Sequence, residues 1–248
     1  MAGQRTDVVM GMPITVAIVD PLAPASRIDQ AFEYFREVDA RFSTYREDSE
    51  ISRVNAGLPQ AEWSTEMREV LQLCDETRSA TGGFFDPVHK GVLDPSGIVK
   101  GWAVRNAART ISNAGFANYY IEAGGDIQVS GVNEEGQVWR VGIRHPVEHG
   151  KIVKVIGMGA GGVATSGTYL RGQHVYNPKA PDTPILDVVS ITVVGPDVYE
   201  ADRFATAAFA MGAAGIGYIE SLNGFEGYMI DAHDTATFTS GFARYVIS

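Results

Sequence analysis

Segments with strand character come in runs along this chain, with helical segments set between the runs and not after every strand. This order is what most constrains the fold. Strict β-α alternation builds a parallel, doubly wound sheet, whereas runs of strands broken by helices build an α+β domain. Residues 12–19 are strand-like and precede a helix expected over 26–38, where Ile28, Phe32, Phe35 and Val38 recur at helical spacing. Residues 42–55 carry turn chemistry. Further helices are expected over 65–81, stopped by Gly82-Gly83, and over 100–114, closed by Gly115. Residues 119–129 read as strand, glycine turn, strand. Then 137–144 alternates, 151–158 is a strand, 159–162 a turn, and 188–194 an apolar strand. A helix starts behind Asp197, with Glu200 placed as in a capping box, and ends at Gly212. Residues 225–230 and 238–246 add C-terminal strands, and the whole of 1–248 reads as a single domain.

Apolar residues make up 45% of the 248, enough for a substantial core. The net charge of −10 argues against nucleic-acid binding, which needs an excess of cations. An acidic chain that holds an anionic ligand needs local help from backbone N–H groups, a placed Lys or Arg, or a bound cation. No run approaches the 18 or more apolar residues of a membrane span. The polar first seven residues carry neither an apolar signal region nor a cysteine to lipidate, so the expected location is cytoplasmic. Cys74 stands alone, which excludes an intramolecular disulfide, and its apolar-periodic neighbours place it in the core.

Five constellations carry possible chemistry. Asp202 and Thr206 lie four residues apart on an apolar helix, so two oxygen donors share a face where a hard divalent cation could bind; an ordinary polar helix face is the plain alternative. Residues 94–101 (Asp-Pro-Ser-Gly-Ile-Val-Lys-Gly) lead into a helix. Glycines there permit close backbone approach, N–H groups face outward, and Lys100 adds charge, though the spacing is not that of a Walker A loop. Gly124-Gly125-Asp126 is a tight turn or a source of backbone donors. Thr165 and Ser166, with Arg171 and His174, bring hydroxyls, a cation and a base suited to neutral pH into about ten residues. Phe84 and Phe85, beside Gly82-Gly83, are core or a wall for a flat ring. The remaining histidines lack metal-ligand spacing, against a zinc site.

In this order, the blocks resemble the ApbE family, the FAD:protein FMN transferases. The matching stretches are 42–45, 48–55, 83–86, 94–104, 124–127, 164–167 with Arg171 and His174, and Ala201-Asp202 with Ala205-Thr206. The resemblance implies a T-fold-like α+β architecture of two related halves, with mixed or antiparallel sheets and packed helices, and FAD in the cleft between them. It implies Mg²⁺ held by Asp202, Thr206 and the Gly97 carbonyl, and FAD contacts from Asp94, Lys100 and His174. Met10, Thr44, Tyr45, Phe84, Phe85 and Asp86 match segments that line the flavin or the adenosine. The implied reaction moves FMN from FAD to a Thr or Ser hydroxyl of an acceptor protein carrying a flavinylation motif, and releases AMP. A cation is needed there: two unit charges 4 Å apart repel by about 4 kcal/mol at an effective dielectric near 20, so a pyrophosphate beside Asp202 would otherwise be repelled. His174 is the expected general base, with Asp126 as the alternative.

Two stretches depart from the family pattern. Residues 176–181 (Tyr-Asn-Pro-Lys-Ala-Pro) replace the usual Asp-Pro and Thr-Gly, and Met10-Gly11-Met12 replaces Met-Gly-Thr. The competing functions are a Mg²⁺-dependent FAD pyrophosphatase, in which water replaces the acceptor hydroxyl, and a flavin-binding protein without turnover.

Overall fold

Met10 and Gly11 both adopt positive φ, 56° and 71°, the conformation of a two-residue hairpin turn whose twist matches its strands. The turn joins β1 (Gly3–Val9) to β2 (Met12–Ile18), with Val9 opposite Met12. The computed structural model describes residues 3–148, 150–167 and 175–247. The chain continues through α1 (Ser26–Phe42), α2 (Glu50–Asn55), α3 (Thr65–Ala80), the small hairpin β3 (Val88–His89) and β4 (Val92–Leu93), and α4 (Ser96–Asn113). It returns as β5 (Tyr119–Ala123) and β6 (Asp126–Ser130), leaves the sheet as the ribbon β7 (Trp139–Arg144) and β8 (Ile152–Met158), and re-enters as β9 (Ala160–Gly167). Then follow β10 (Val188–Gly195), α5 (Val198–Ala210), α6 (Gly215–Glu220), β11 (Glu226–Asp231) and β12 (Ala236–Phe238).

Among the described residues the main sheet runs β1-β2-β5-β6-β9-β10-β11-β12, and every pairing in it is antiparallel. The α+β expectation therefore holds, with one antiparallel sheet as its frame. Helices α1 to α4 bury the face of β2 and β5, with Phe32, Phe35 and Trp102 at the centre. Helix α5 covers β9 and β10 through Phe204, Ala205 and Phe209, and α6 packs on β11 through Ile219. On the opposite face Val129 and Val194 of the sheet pack against Val141 and Ile156 of the β7–β8 ribbon. Strand β10 is covered on both sides. That is why 188–194 is apolar at five of seven positions, with Ser190 and Thr192 themselves buried, and does not alternate apolar with exposed polar.

Several boundaries differ from the sequence expectation for identifiable reasons. Residues 50–55 form α2, capped by the Ser49 hydroxyl, which accepts the Ser52 N–H at 3.1 Å; six residues are too few to show a helical stripe. The helix expected over 100–114 is α4, which starts at Ser96, four residues early, because its glycines are there for packing and not for a loop. Residues 159–162 are not a turn but lead into β9. A Cβ on Gly162 would sit 2.0 Å from the Val198 N, so the glycine admits the start of α5 against the strand. The C-terminal stretch 238–246 is not a strand. It holds the end of β12, a 3₁₀ turn at Phe242–Tyr245 and one bridge, Ile156 to Val246. Strand β1 was hidden because it faces solvent on alternate residues and carries few apolar ones.

The contact that most affects the site is α4 against α5. A Cβ on Gly101 would lie 2.9 Å from both the Tyr199 Cα and the Asp202 Cβ, so only glycine permits this approach. Gly101→Ala is expected to cost about 1–3 kcal/mol through overpacking. For a chain of this size that lowers Tm by several degrees, at roughly 2–4 °C per kcal/mol. An unchanged thermal melt would contradict the packing argument.

Candidate active site

Close approach of α4 to α5 sets Lys100 between two carboxylates. Its Nζ lies 2.5 Å from Asp126 Oδ2, at the start of β6, and 3.5 Å from Asp202 Oδ1, on α5. Asp126 is 1% exposed and Asp202 3% exposed. Such burial of charge is tolerable only with partners. Asp126 Oδ1 accepts the Thr165 N–H at 3.2 Å, and Asp202 Oδ2 accepts the Gly101 N–H at 3.0 Å. In a regular helix the Gly101 N–H turns to the carbonyl of Gly97; here it also serves α5. Burial, opposed by Lys100 and reinforced by Asp126, pushes the Asp202 carboxyl up to about 7.

Helix α5 is oriented by its N-terminus. Asp197 accepts the Glu200 N–H at 2.9 Å, as the sequence suggested. The Glu200 carboxylate, however, turns to Arg203 at 2.6 Å and does not complete a capping box. Gln128 on β6 accepts the Val198 N–H at 2.8 Å and ties the helix start to the sheet.

A cleft of about 370 Å³ opens beside these groups. Of the residues singled out from sequence, Phe84, Phe85, Asp86, Asp94, Gly97, Lys100, Asp202 and Thr206 line it together. Gly97 and Gly101 on α4 face Thr206 and Asp202 on α5, so two i, i+4 pairs meet: a Cβ on Gly97 would fall 3.6 Å from Thr206 Cγ2 and 3.1 Å from the Phe85 ring. The Thr206 hydroxyl lies 3.4 Å from that of Ser166. One buried carboxylate, neighbouring hydroxyls and a helix-start carbonyl make a hard oxygen donor set, which fits Mg²⁺ better than a softer metal. Asp94 accepts the Ser96 N–H at 2.9 Å at the mouth of α4, and Asp86 accepts the Val88 N–H at 2.9 Å while facing Arg78.

Three of the expected residues are not among those that line this cleft. Met10 forms the β1–β2 turn and packs on the N-terminal core, Thr44 follows α1, and Tyr45 is 97% exposed. His174 and Arg171 lie outside the described residues. Asp126 does not line the cleft; it holds Lys100 and the β9 backbone.

The cleft also has walls that the sequence did not indicate. Tyr176 and Pro178 close one side. The Tyr176 hydroxyl donates to the Asp86 and Val88 carbonyls, both at 3.1 Å, and its ring lies tilted against that of His89, centroids 4.1 Å apart. Lys179 Nζ sits 4.0 Å over the Phe84 ring. These partners are about ninety residues apart in the chain, so no local spacing could have signalled them.

Comparison with known proteins places this architecture. The family model described as the ApbE family matches residues 10–93 and 88–229. The chain is 27% identical over 254 residues to the FAD:protein FMN transferase of Vibrio cholerae, covering 79% of this chain and 75% of that one. It is 31% identical over 129 residues to the protein of the same name from Salmonella typhimurium, covering 48% and 37%. Among solved structures, an ApbE protein from Thermotoga maritima superposes with a TM-score of 0.87 at 20% identity over the full length of both chains. The flavin transferase ApbE of Vibrio cholerae gives 0.85 at 24% identity over 99% of each. At these identities the structural likeness speaks for the fold.

The raised Asp202 carboxyl makes a pH prediction for the metal-free protein. Between the ordinary carboxylate value of 3.8 and about 7, the folded state holds a proton that the unfolded state has lost. Stability from this group therefore falls as pH rises through that window. Asp202→Asn removes the titration, so its Tm relative to the unsubstituted protein is expected to rise steadily from about pH 4 to about pH 7. Parallel Tm curves across that range would contradict the assignment.

Proposed function

The chain belongs to the ApbE family, and from that premise we propose that it transfers FMN from FAD to a Thr or Ser hydroxyl of an acceptor protein, releasing AMP. The observation that carries the reading is the convergence of Lys100, Asp202, Thr206 and Gly97 on one cleft from helices separated by about a hundred residues. A pyrophosphate is the ligand that such a group suits: Lys100 offers an ammonium at the start of α4.

Asp202, Thr206 and the Gly97 carbonyl would hold Mg²⁺. When bound, the ion supplies Lewis-acid neutralisation of phosphate charge. Phe84 and Phe85 give the cleft an aromatic wall, and Tyr176 and Pro178 narrow it against water. The acceptor oxygen forms a bond to the FMN phosphorus as the bond to the AMP oxygen breaks, and AMP leaves with the electron pair. The acceptor proton goes to His174. Lys100, held by Asp126, keeps its charge on the pyrophosphate through the exchange. Attack by water in place of the acceptor would make the same site a FAD pyrophosphatase.

Asp202→Ala is expected to lower FAD-dependent AMP release by at least about 100-fold, the scale on which removal of one group that stabilises developing charge acts. Near-UV circular dichroism checks that the variant stays folded. Unchanged AMP release from a folded variant would contradict the metal assignment. Incubation with FAD, Mg²⁺ and an acceptor protein should leave fluorescence on the acceptor in a denaturing gel. Free FMN without labelling would point to hydrolysis, and bound FAD with neither product to a storage role.

A further inference from the structure

A second cleft, of about 290 Å³, lies on the other side of Lys100 and Thr165, which border both cavities. Its outer wall is the exposed face of β7, where Arg140 and Arg144 stand four residues apart in the strand's alternating pattern. Gly142 lies between them. A Cβ there would meet Ile152 Cδ1 at 3.0 Å, so the glycine lets the Ile152 side chain lie across the strand. Ile127 adds apolar surface to the floor. The one carboxylate among the described lining residues, Glu122, accepts the Gly125 N–H at 2.8 Å. Arg144 makes no ion pair among the described residues.

Two guanidiniums flanking an apolar floor form a local exception in a chain of net charge −10. Elsewhere that charge repels an anionic partner, so the exception selects where such a partner docks. Phosphoryl exchange needs the attacking and leaving oxygens roughly in line. If the dinucleotide fills the first cleft, the incoming hydroxyl must come from another side. Among the described residues, the second cleft is the neighbouring cavity that meets the first at Lys100.

We propose that the second cleft docks an acidic, extended segment of the acceptor protein, its carboxylates on Arg140 and Arg144 and its hydroxyl directed toward Lys100 and Thr165. This rests on the transfer reading above. In an extended strand, residues four apart are about 13 Å from each other, so the matching segment carries acidic residues at i and i+4.

The test uses a fluorescein-labelled peptide with two aspartates four residues apart and one threonine between them, beside its Asn isostere. Binding to the full chain with FAD and Mg²⁺ is followed by anisotropy. The Asp peptide should bind about tenfold tighter than the Asn peptide, about 1.4 kcal/mol. This difference should vanish in about 1 M salt, where the Debye length is about 3 Å. It should also vanish in R140E/R144E and in the milder R140S/R144S, and persist in R140K/R144K, while FAD affinity stays within about twofold. Equal affinity for the two peptides would overturn the proposal. So would a loss of FAD affinity in the variants that matches the loss for the peptide, since the cleft would then belong to the nucleotide. Tight, charge-dependent peptide binding with no flavin labelling by the unsubstituted protein would count against transfer and still support the docking site.

Discussion

The ion trio of Lys100, Asp126 and Asp202 is the constraint on which the rest of the site depends. Three elements distant in the chain, α4, β6 and α5, each contribute one ionisable group to it. Removing one partner from a buried arrangement of this kind strands the others, at a typical cost of about 3–5 kcal/mol. The trio therefore locks α4 to α5 and both to the sheet. It also fixes Lys100 where two cavities meet. The lock exists only because Gly101 lacks a side chain, which lets its own N–H reach Asp202 Oδ2.

From that lock the chemistry follows by proximity. Helix α5 is aimed by its N-cap and by Gln128, so Asp202 and Thr206 face the cleft and not solvent. The loop before β3 brings Phe84 and Phe85 to the same space, and Tyr176 is pinned to the backbone of that loop by two hydrogen bonds. Rigid strands and helices thus carry the charged groups, while aromatic residues on loops shape the walls. A reaction at phosphorus needs fixed charges and excluded water more than mobile catalytic groups.

Much of this arrangement was legible in the sequence, and what was not has a common cause. The strand at 188–194, the helix after Asp197 and the Asp202/Thr206 pair are local patterns, and they stand where periodicity placed them. The ordered blocks then led to the family, and with it to the cleft lined by Phe84, Asp94, Lys100 and Thr206. Long-range pairings were not legible. Nothing near Asp126 in the chain shows that it faces Lys100, and nothing near Tyr176 shows that it meets His89. Glycine misled the reading more than once. Gly97 and Gly162 look like loop and turn residues, yet one serves helix packing and the other lets α5 start against β9.

The central claim is that this cleft holds the pyrophosphate of FAD with a divalent cation at Asp202 and Thr206. A crystal structure of the chain with FAD and Mn²⁺ in place of Mg²⁺, solved with anomalous data, tests it most directly. The account predicts a manganese peak within about 2.0–2.3 Å of an Asp202 carboxylate oxygen and the Thr206 hydroxyl, with phosphate oxygens completing the shell. Manganese bound elsewhere, or FAD phosphates seated away from Lys100 with the cleft empty, would contradict it.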